Sequence, residues 1–182
     1  MKKKISIIVG GSGQLGISLI KVLLKKNFKV IVTTRSISNA RKKIPIKSRN
    51  LKLVLLNVLK KNEISSLIKR FKPNYIYYFA SQSSPVISFK KNRVTYLSNV
   101  KGCLNFLEII NLKDKKIKFI NASSSEIFSS RVKKISLNSK KIPISPYGKA
   151  KLISYNKTKF FRDKKKLKAY NAIIFNSESY FR

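Results

Sequence analysis

Apolar residues along this chain fall into two alternating patterns. Short runs bounded by turn residues alternate with longer stretches in which apolar side chains recur every three or four positions. The first pattern suits strands buried on both faces, and the second suits helices with one face inward. Residues 5–9 (ISIIV) form the first run, and a glycine-rich turn, GGSGQLG, follows at residues 10–16. Leu15, Leu19, Ile20, Leu23 and Leu24 then keep helical spacing up to Lys26, and residues 30–32 open a second strand. Strand, glycine turn, helix and strand within about thirty residues make one βαβ unit. Further strands are expected at residues 53–56, 75–79, 117–120 and 170–175.

Helices are expected between these strands. Ile64, Leu67, Ile68 and Phe71 mark one, closed by Pro73. A long one is expected over residues 92–110, with Leu104, Leu107 and Ile110 on its apolar side, and another over residues 146–162. Residues 36–50 read as a polar surface segment with some helix, and residues 131–143 as a basic loop. This alternation predicts an α/β fold: a doubly wound, Rossmann-type parallel sheet in the order 3-2-1-4-5-6, occupying residues 1–182 as one dinucleotide-binding domain.

Composition narrows the chemistry. The 182 residues are 43% hydrophobic, which supports a packed core. No apolar run approaches the roughly 18 residues needed to cross a bilayer. The basic start and the apolar run after it break at Gly10, too soon for a secretory leader, and Cys103 is the only cysteine. A cytoplasmic setting is therefore expected. The absence of histidine removes the usual metal ligand and the usual base near neutral pH, so no metal is expected. Acid–base work falls to Tyr, Lys or the few carboxylates. The net charge is +36, from 42 basic and 6 acidic residues, with the basic doublets spread along the chain. A nucleic-acid-binding surface would concentrate its charge on one element. Such a spread suits a compositional bias of the surface, with a polyanion-binding role as the alternative.

Four motifs carry chemistry. Gly10, Gly13 and Gly16 sit between strand and helix, where a tight turn, a close backbone approach to a pyrophosphate and close helix–strand packing are needed. At the end of the second strand, Thr33-Thr34-Arg35 lacks the acid that holds a ribose 2′-hydroxyl. Arg35 suits a 2′-phosphate instead, which favours NADP, although an arginine here is also unsurprising in so basic a chain. Tyr147 and Lys151 are four residues apart, on one helix face, where an ammonium is expected to lower the phenol's pKa from about 10. Ser124 and Glu126 lie in ASSSEIF at the end of the fifth strand, the edge at which open α/β sheets bind ligands. They read equally as a substrate-binding serine with a proton-abstracting acid, or as a polar cap.

Together with GGSGQLG, the segments FASQSSPVISF (79–89), NVKG (99–102), ASSSEIF (122–128), SPYGKAK (145–151) and FNSES (175–179) occur in an order that resembles the extended short-chain dehydrogenases/reductases, most of all the GDP-mannose 4,6-dehydratases. The resemblance covers the chain but only about half of a full member, so the chain is expected to stop before the C-terminal substrate-binding segment. It implies a lyase that converts GDP-mannose to the 4-keto-6-deoxy sugar with NADP. Cofactor contacts are implied at Gly10, Gly13, Gln14, Leu15 and Gly16, at Arg35, Asn57 and Val58, at Phe79 and Ala80, and at Tyr147 and Lys151. Tyr147 would deprotonate the sugar 4-hydroxyl, Ser124 would bind the substrate, and Glu126 would remove the C5 proton and assist loss of water. Gln82, Ser83 and Asn176 match positions lining the sugar and diphosphate site. Dimers through the Tyr147 helix are also implied.

This chain departs from the family at Asn57 (usually Asp), Phe128-Ser129 (Tyr-Gly), Ser177 (His) and Tyr180-Phe181 (Pro-Arg). Two other readings stand beside the dehydratase. One is another member of the superfamily, a sugar-nucleotide epimerase or 4-keto reductase, which would generally lack the acid at Glu126. The other is a non-catalytic polyanion-binding protein on the same fold. For the dehydratase reading no membrane partner is expected, and nucleic acid only non-specifically if at all.

Overall fold

The computed structural model describes residues 3–128 and 134–177. Residues 131–133 of the basic loop, and Ser129, Tyr180 and Phe181 of the family comparison, lie outside the described residues. Six strands form one parallel sheet in the order β3-β2-β1-β4-β5-β6. They are β1 (Ile5–Val9), β2 (Lys29–Thr34), β3 (Leu51–Leu55), β4 (Tyr75–Tyr78), β5 (Lys118–Ser124) and β6 (Ala169–Ile174). This is the expected doubly wound order. Its direction reverses between β1 and β4, which places a ligand crevice at their carboxyl ends.

The apolar run of β1 is continuous because both faces of the sheet are covered. Ile7 and Val9 face a core that holds Ile64 and Leu67 of α3 (Lys61–Phe71) and Phe106 and Leu107 of α6 (Gly102–Lys113). Ile8 faces the other layer, with Ile17, Ile20 and Leu23 of α1 (Gln14–Lys25). Successive side chains alternate across a strand, so one short segment serves both cores. Helix α3 ends at Phe71, and its cap residue Lys72 takes φ 44°, the left-handed conformation that closes many helices, directly before Pro73.

Two elements differ from expectation. The helix expected over residues 92–110 is broken into α5 (Asn92–Tyr96), a π-helical turn (Leu97–Lys101) and α6. Helix α4 (Pro85–Lys90) was not foreseen. Its signal was present, since Ser84 caps it by accepting a bond from Ile87 N and Pro85 opens its first turn. The segment after β2, read as polar surface with some helix, contains α2 (Ile37–Lys43), capped by Ser36. The last helix, α7 (Pro146–Asp163), lies where it was expected and packs against β5 and β6. Among the described residues, no helix is long and apolar enough to cross a membrane.

Candidate active site

One cleft of about 1390 Å³ opens at the carboxyl edge of the sheet. Its size suits more than one small molecule. The glycine turn forms one end. Gly10 takes φ 75°, and a side chain there would stand 2.7 Å from the backbone of Ala80. A Cβ on Gly16 would meet Gly11 at 2.5 Å. Gly13 is different: its nearest neighbour is 3.9 Å away, so the space beside it is open. Gly13 is also the N-cap of α1, and no side chain caps that helix. The N–H groups of the first turn therefore face the cleft at Gln14, Leu15 and Gly16. An uncapped helix start without an acid in its first turn fits the oxygens of a pyrophosphate.

The cleft wall is basic. Arg35 lies at the end of β2, and Lys43, Lys90, Lys91 and Arg93 join it along the lining. The last four were missed from sequence, because basic residues are so frequent that none stood out. Glu126 is the only carboxylate among the described lining residues. Phe79, Ala80, Gln82, Ser83 and Asn176 also line the cleft. Gln14 Nε2 donates to Ser177 O at 3.0 Å, which ties the glycine turn to the chain leaving β6.

Two expected cofactor residues fall outside this lining. Asn57 is exposed, its N–H donating to Glu63 Oε2 and its Oδ1 accepting from Leu59 N, so it organises its own turn. Val58 packs toward Gly102, and its carbonyl accepts from Asn105 Nδ2. Both residues serve local structure here.

The reactive groups gather at the other end. Strand β5 runs through the serine cluster to Ser124, whose Oγ accepts from Glu126 N at 3.2 Å as a 3-10 turn (Ser125–Ile127) begins. The start of α7 is locked against this turn. Ser145 caps it through Gly148 N, Tyr147 N donates to Ser88 Oγ of α4, and Gly148 lies so near Glu126 O that no side chain fits between. Tyr147 and Lys151 are 8% and 4% exposed. The Ser124 side chain neighbours the Tyr147 hydroxyl and favours its ionisation. Lys151 Nζ donates to Ala122 O at 2.7 Å and stands 5.6 Å from the centre of the Tyr147 ring.

Burial dominates the protonation of both groups. It lowers Lys151 to about 8. It raises Tyr147 above its ordinary value, opposed by the neighbouring Ser124 side chain and reinforced by the charge of Glu126. This corrects the expected lowering of the tyrosine: loss of solvent outweighs the ammonium, which is turned toward Ala122 O. Among the described residues, no group of three or more His, Cys, Asp or Glu side chains could hold a metal.

A 3-2-1-4-5-6 sheet, a glycine turn after its first strand and a Tyr-x-x-x-Lys pair on the helix after its fifth define the extended short-chain dehydrogenase/reductase class. Within that class the chain belongs to the GDP-mannose 4,6 dehydratase family, which it matches over residues 7–182. It is 29% identical to a GDP-mannose 4,6-dehydratase of Vibrio cholerae serotype O1, over 98% of this chain and 51% of that protein. It is 31% identical to the Cricetulus griseus GDP-mannose 4,6 dehydratase, over 97% of this chain and 51% of that one. The chain thus spans about half the length of the curated relatives it matches. Among solved structures, UDP-glucose 4-epimerase from Brucella ovis in complex with NAD aligns with a TM-score of 0.83 at 21% identity, over 95% of this chain and 52% of that one. That likeness is one of fold.

Proposed function

We propose that residues 1–182 are the dinucleotide-binding domain of a GDP-mannose 4,6-dehydratase, a lyase that uses NADP. The observation that carries this reading is one cleft with an uncapped glycine turn at one end and Ser124, Glu126, Tyr147 and Lys151 at the other. The amides of Gln14, Leu15 and Gly16 hold the cofactor pyrophosphate, and Arg35 with Lys43 takes the 2′-phosphate. Lys151 holds the nicotinamide ribose. Oxidised NADP, when bound, supplies a hydride acceptor and positive charge beside the phenol.

The chain's own groups move the protons. Tyr147 takes the proton of the sugar 4-hydroxyl, with Ser124 holding that oxygen in line. A ketone at C4 acidifies the hydrogen on C5. Glu126, exposed in the cleft, removes that hydrogen and returns a proton to the C6 hydroxyl as it leaves as water. Gln82, Ser83 and Asn176 hold the sugar and diphosphate. The hydride given up by C4 would return to C6, with a proton to C5, so the net change is redox-neutral: a loss of water that leaves a 4-keto-6-deoxy sugar. Because burial raises Tyr147, turnover rises with pH above neutrality. Copies of the chain assemble through α4, α5 and α7, where Phe89, Tyr96 and Phe160 are exposed.

Glu126 separates a dehydratase from an epimerase or reductase. The test is NADPH binding by fluorescence, with GDP-mannose conversion followed by mass, in wild type and Glu126→Gln. The reading expects loss of 18 mass units (water) in the wild type, and a variant that binds NADPH normally but eliminates at least about a hundredfold more slowly. Conversion unaffected by Glu126→Gln refutes it.

A further inference from the structure

The π-helical turn between α5 and α6 is built around a side chain from the sheet. Gly102 N–H bonds Leu97 O, five residues back. In an α-helix it would bond Ser98 O, four back. Ser98 O is bypassed, and the Tyr78 hydroxyl of β4 donates to it at 2.5 Å. Tyr78 is 1% exposed and packs on Phe106 and Phe119, so its hydroxyl is removed from water and needs this acceptor. Burial keeps the phenol protonated and therefore a donor. Gly102 supplies the clearance: a Cβ there would collide with the Tyr78 hydroxyl and stand 2.7 Å from Val58 Cγ2. The bypassed carbonyl, the buried donor and the glycine gap describe a single wedge.

The turn held open by this wedge grips one loop of the cleft. Ser98 Oγ accepts from Gln82 N at 3.3 Å, and Asn99 Nδ2 donates to Gln82 O at 3.3 Å. Asn99 Oδ1 accepts from Ser81 Oγ at 2.5 Å. The Gln82 carboxamide end lies 3.3 Å from Thr95 Oγ1, whose hydroxyl also donates to Lys91 O at 2.9 Å. Gln82 is thus fixed through its backbone N–H, its backbone carbonyl and its side chain, all from the α5–π segment. The glycine turn shares none of these bonds.

We propose that Tyr78 is a positioning residue: its hydroxyl sets the π turn, and through Ser98 and Asn99 sets Gln82 for the diphosphate sugar, independently of the dinucleotide end of the cleft. The ligand's identity rests on the proposed function, whereas the positioning does not.

Tyr78→Phe removes one oxygen and tests both parts on the full chain. Amide hydrogen exchange without ligand should quicken about tenfold or more at residues 81–83 and 97–102, with residues 13–16 changed less than about twofold. Unchanged exchange at residues 81–83, or a uniform rise across the chain, overturns the proposal. With ligands, GDP-mannose affinity should fall at least about fivefold while NADPH affinity stays within about twofold, and equal loss of both overturns it. Ser98→Ala cuts the same path, so the double variant should lose about as much as the more affected single variant; full additivity overturns the proposal. If Tyr78→Phe does not fold, exchange at residues 81–83 in Ser98→Ala decides by the same criterion. If the wild-type chain binds NADPH but not GDP-mannose, the substrate assignment falls, and the exchange comparison still decides the positioning.

Discussion

Lys151 carries a measurable cost in stability. Its ammonium is buried, donates to Ala122 O, and burial takes its pKa from 10.5 to about 8. At about 1.36 kcal/mol per pH unit, that displacement corresponds to about 3 kcal/mol disfavouring the charged form in the folded chain. The sign follows from proton counts. Below about pH 8 both folded and unfolded chains hold the proton, and the full penalty applies. Between pH 8 and 10.5 the unfolded chain keeps a proton that the folded chain releases, so stability rises with pH. Above 10.5 the penalty is gone.

Lys151→Met fills a similar volume without a titrating group. It loses the bond to Ala122 O, about 1–3 kcal/mol for a buried acceptor left bare, but it also escapes the penalty. At pH 7 the variant should therefore be nearly as stable as wild type, yet unable to hold the cofactor ribose. Urea unfolding of both proteins from pH 7 to 11 at constant ionic strength isolates the effect, because the exposed lysines titrate alike in each. Wild-type stability should gain about 3 kcal/mol relative to the variant across that range. A difference that stays flat, or that moves in favour of the variant, refutes the argument.

Other outcomes follow from single residues. Gly10→Ala places a Cβ at φ 75° and 2.7 Å from Ala80, so it should cost at least about 2 kcal/mol and lower Tm by several degrees in a thermal melt. Arg35→Ala should reduce the preference for NADPH over NADH by about tenfold or more in fluorescence titrations, with NADH affinity little changed. Cys103 is fully buried and its thiol is pushed up to about 12, so it should resist a thiol reagent at pH 8 in the native chain and react in denaturant. Nucleic acid held by charge alone should dissociate log-linearly with added salt, whereas NADPH should stay bound at moderate salt.

The sheet was legible because its information is local. Residues 5–9 are apolar on both faces, and a strand covered on both sides needs only that. The glycine turn announced its strand and helix by position. The ends of β5 and α7 were legible as ASSSEIF and SPYGKAK, which the fold brings to one edge. What escaped was set by neighbours distant in sequence. Residues 92–110 keep helical spacing throughout, and nothing in them reports that a hydroxyl from Tyr78 enters between Ser98 and Gly102. The rise in the Tyr147 pKa depends on burial by surrounding elements, while the i,i+4 lysine suggested the opposite direction. Asn57 and Val58 were placed by resemblance, and their bonds to Glu63 and Asn105 depend on neighbours that the local pattern does not report.

A crystal structure with bound NADP+ and GDP-mannose tests the shared cleft most directly. The account places the nicotinamide ring over Tyr147, with the hydroxyl of that tyrosine and the Glu126 carboxylate each within about 3.5 Å of the sugar atoms they act on. A dinucleotide bound away from the glycine turn, or a sugar that Glu126 does not reach, contradicts it.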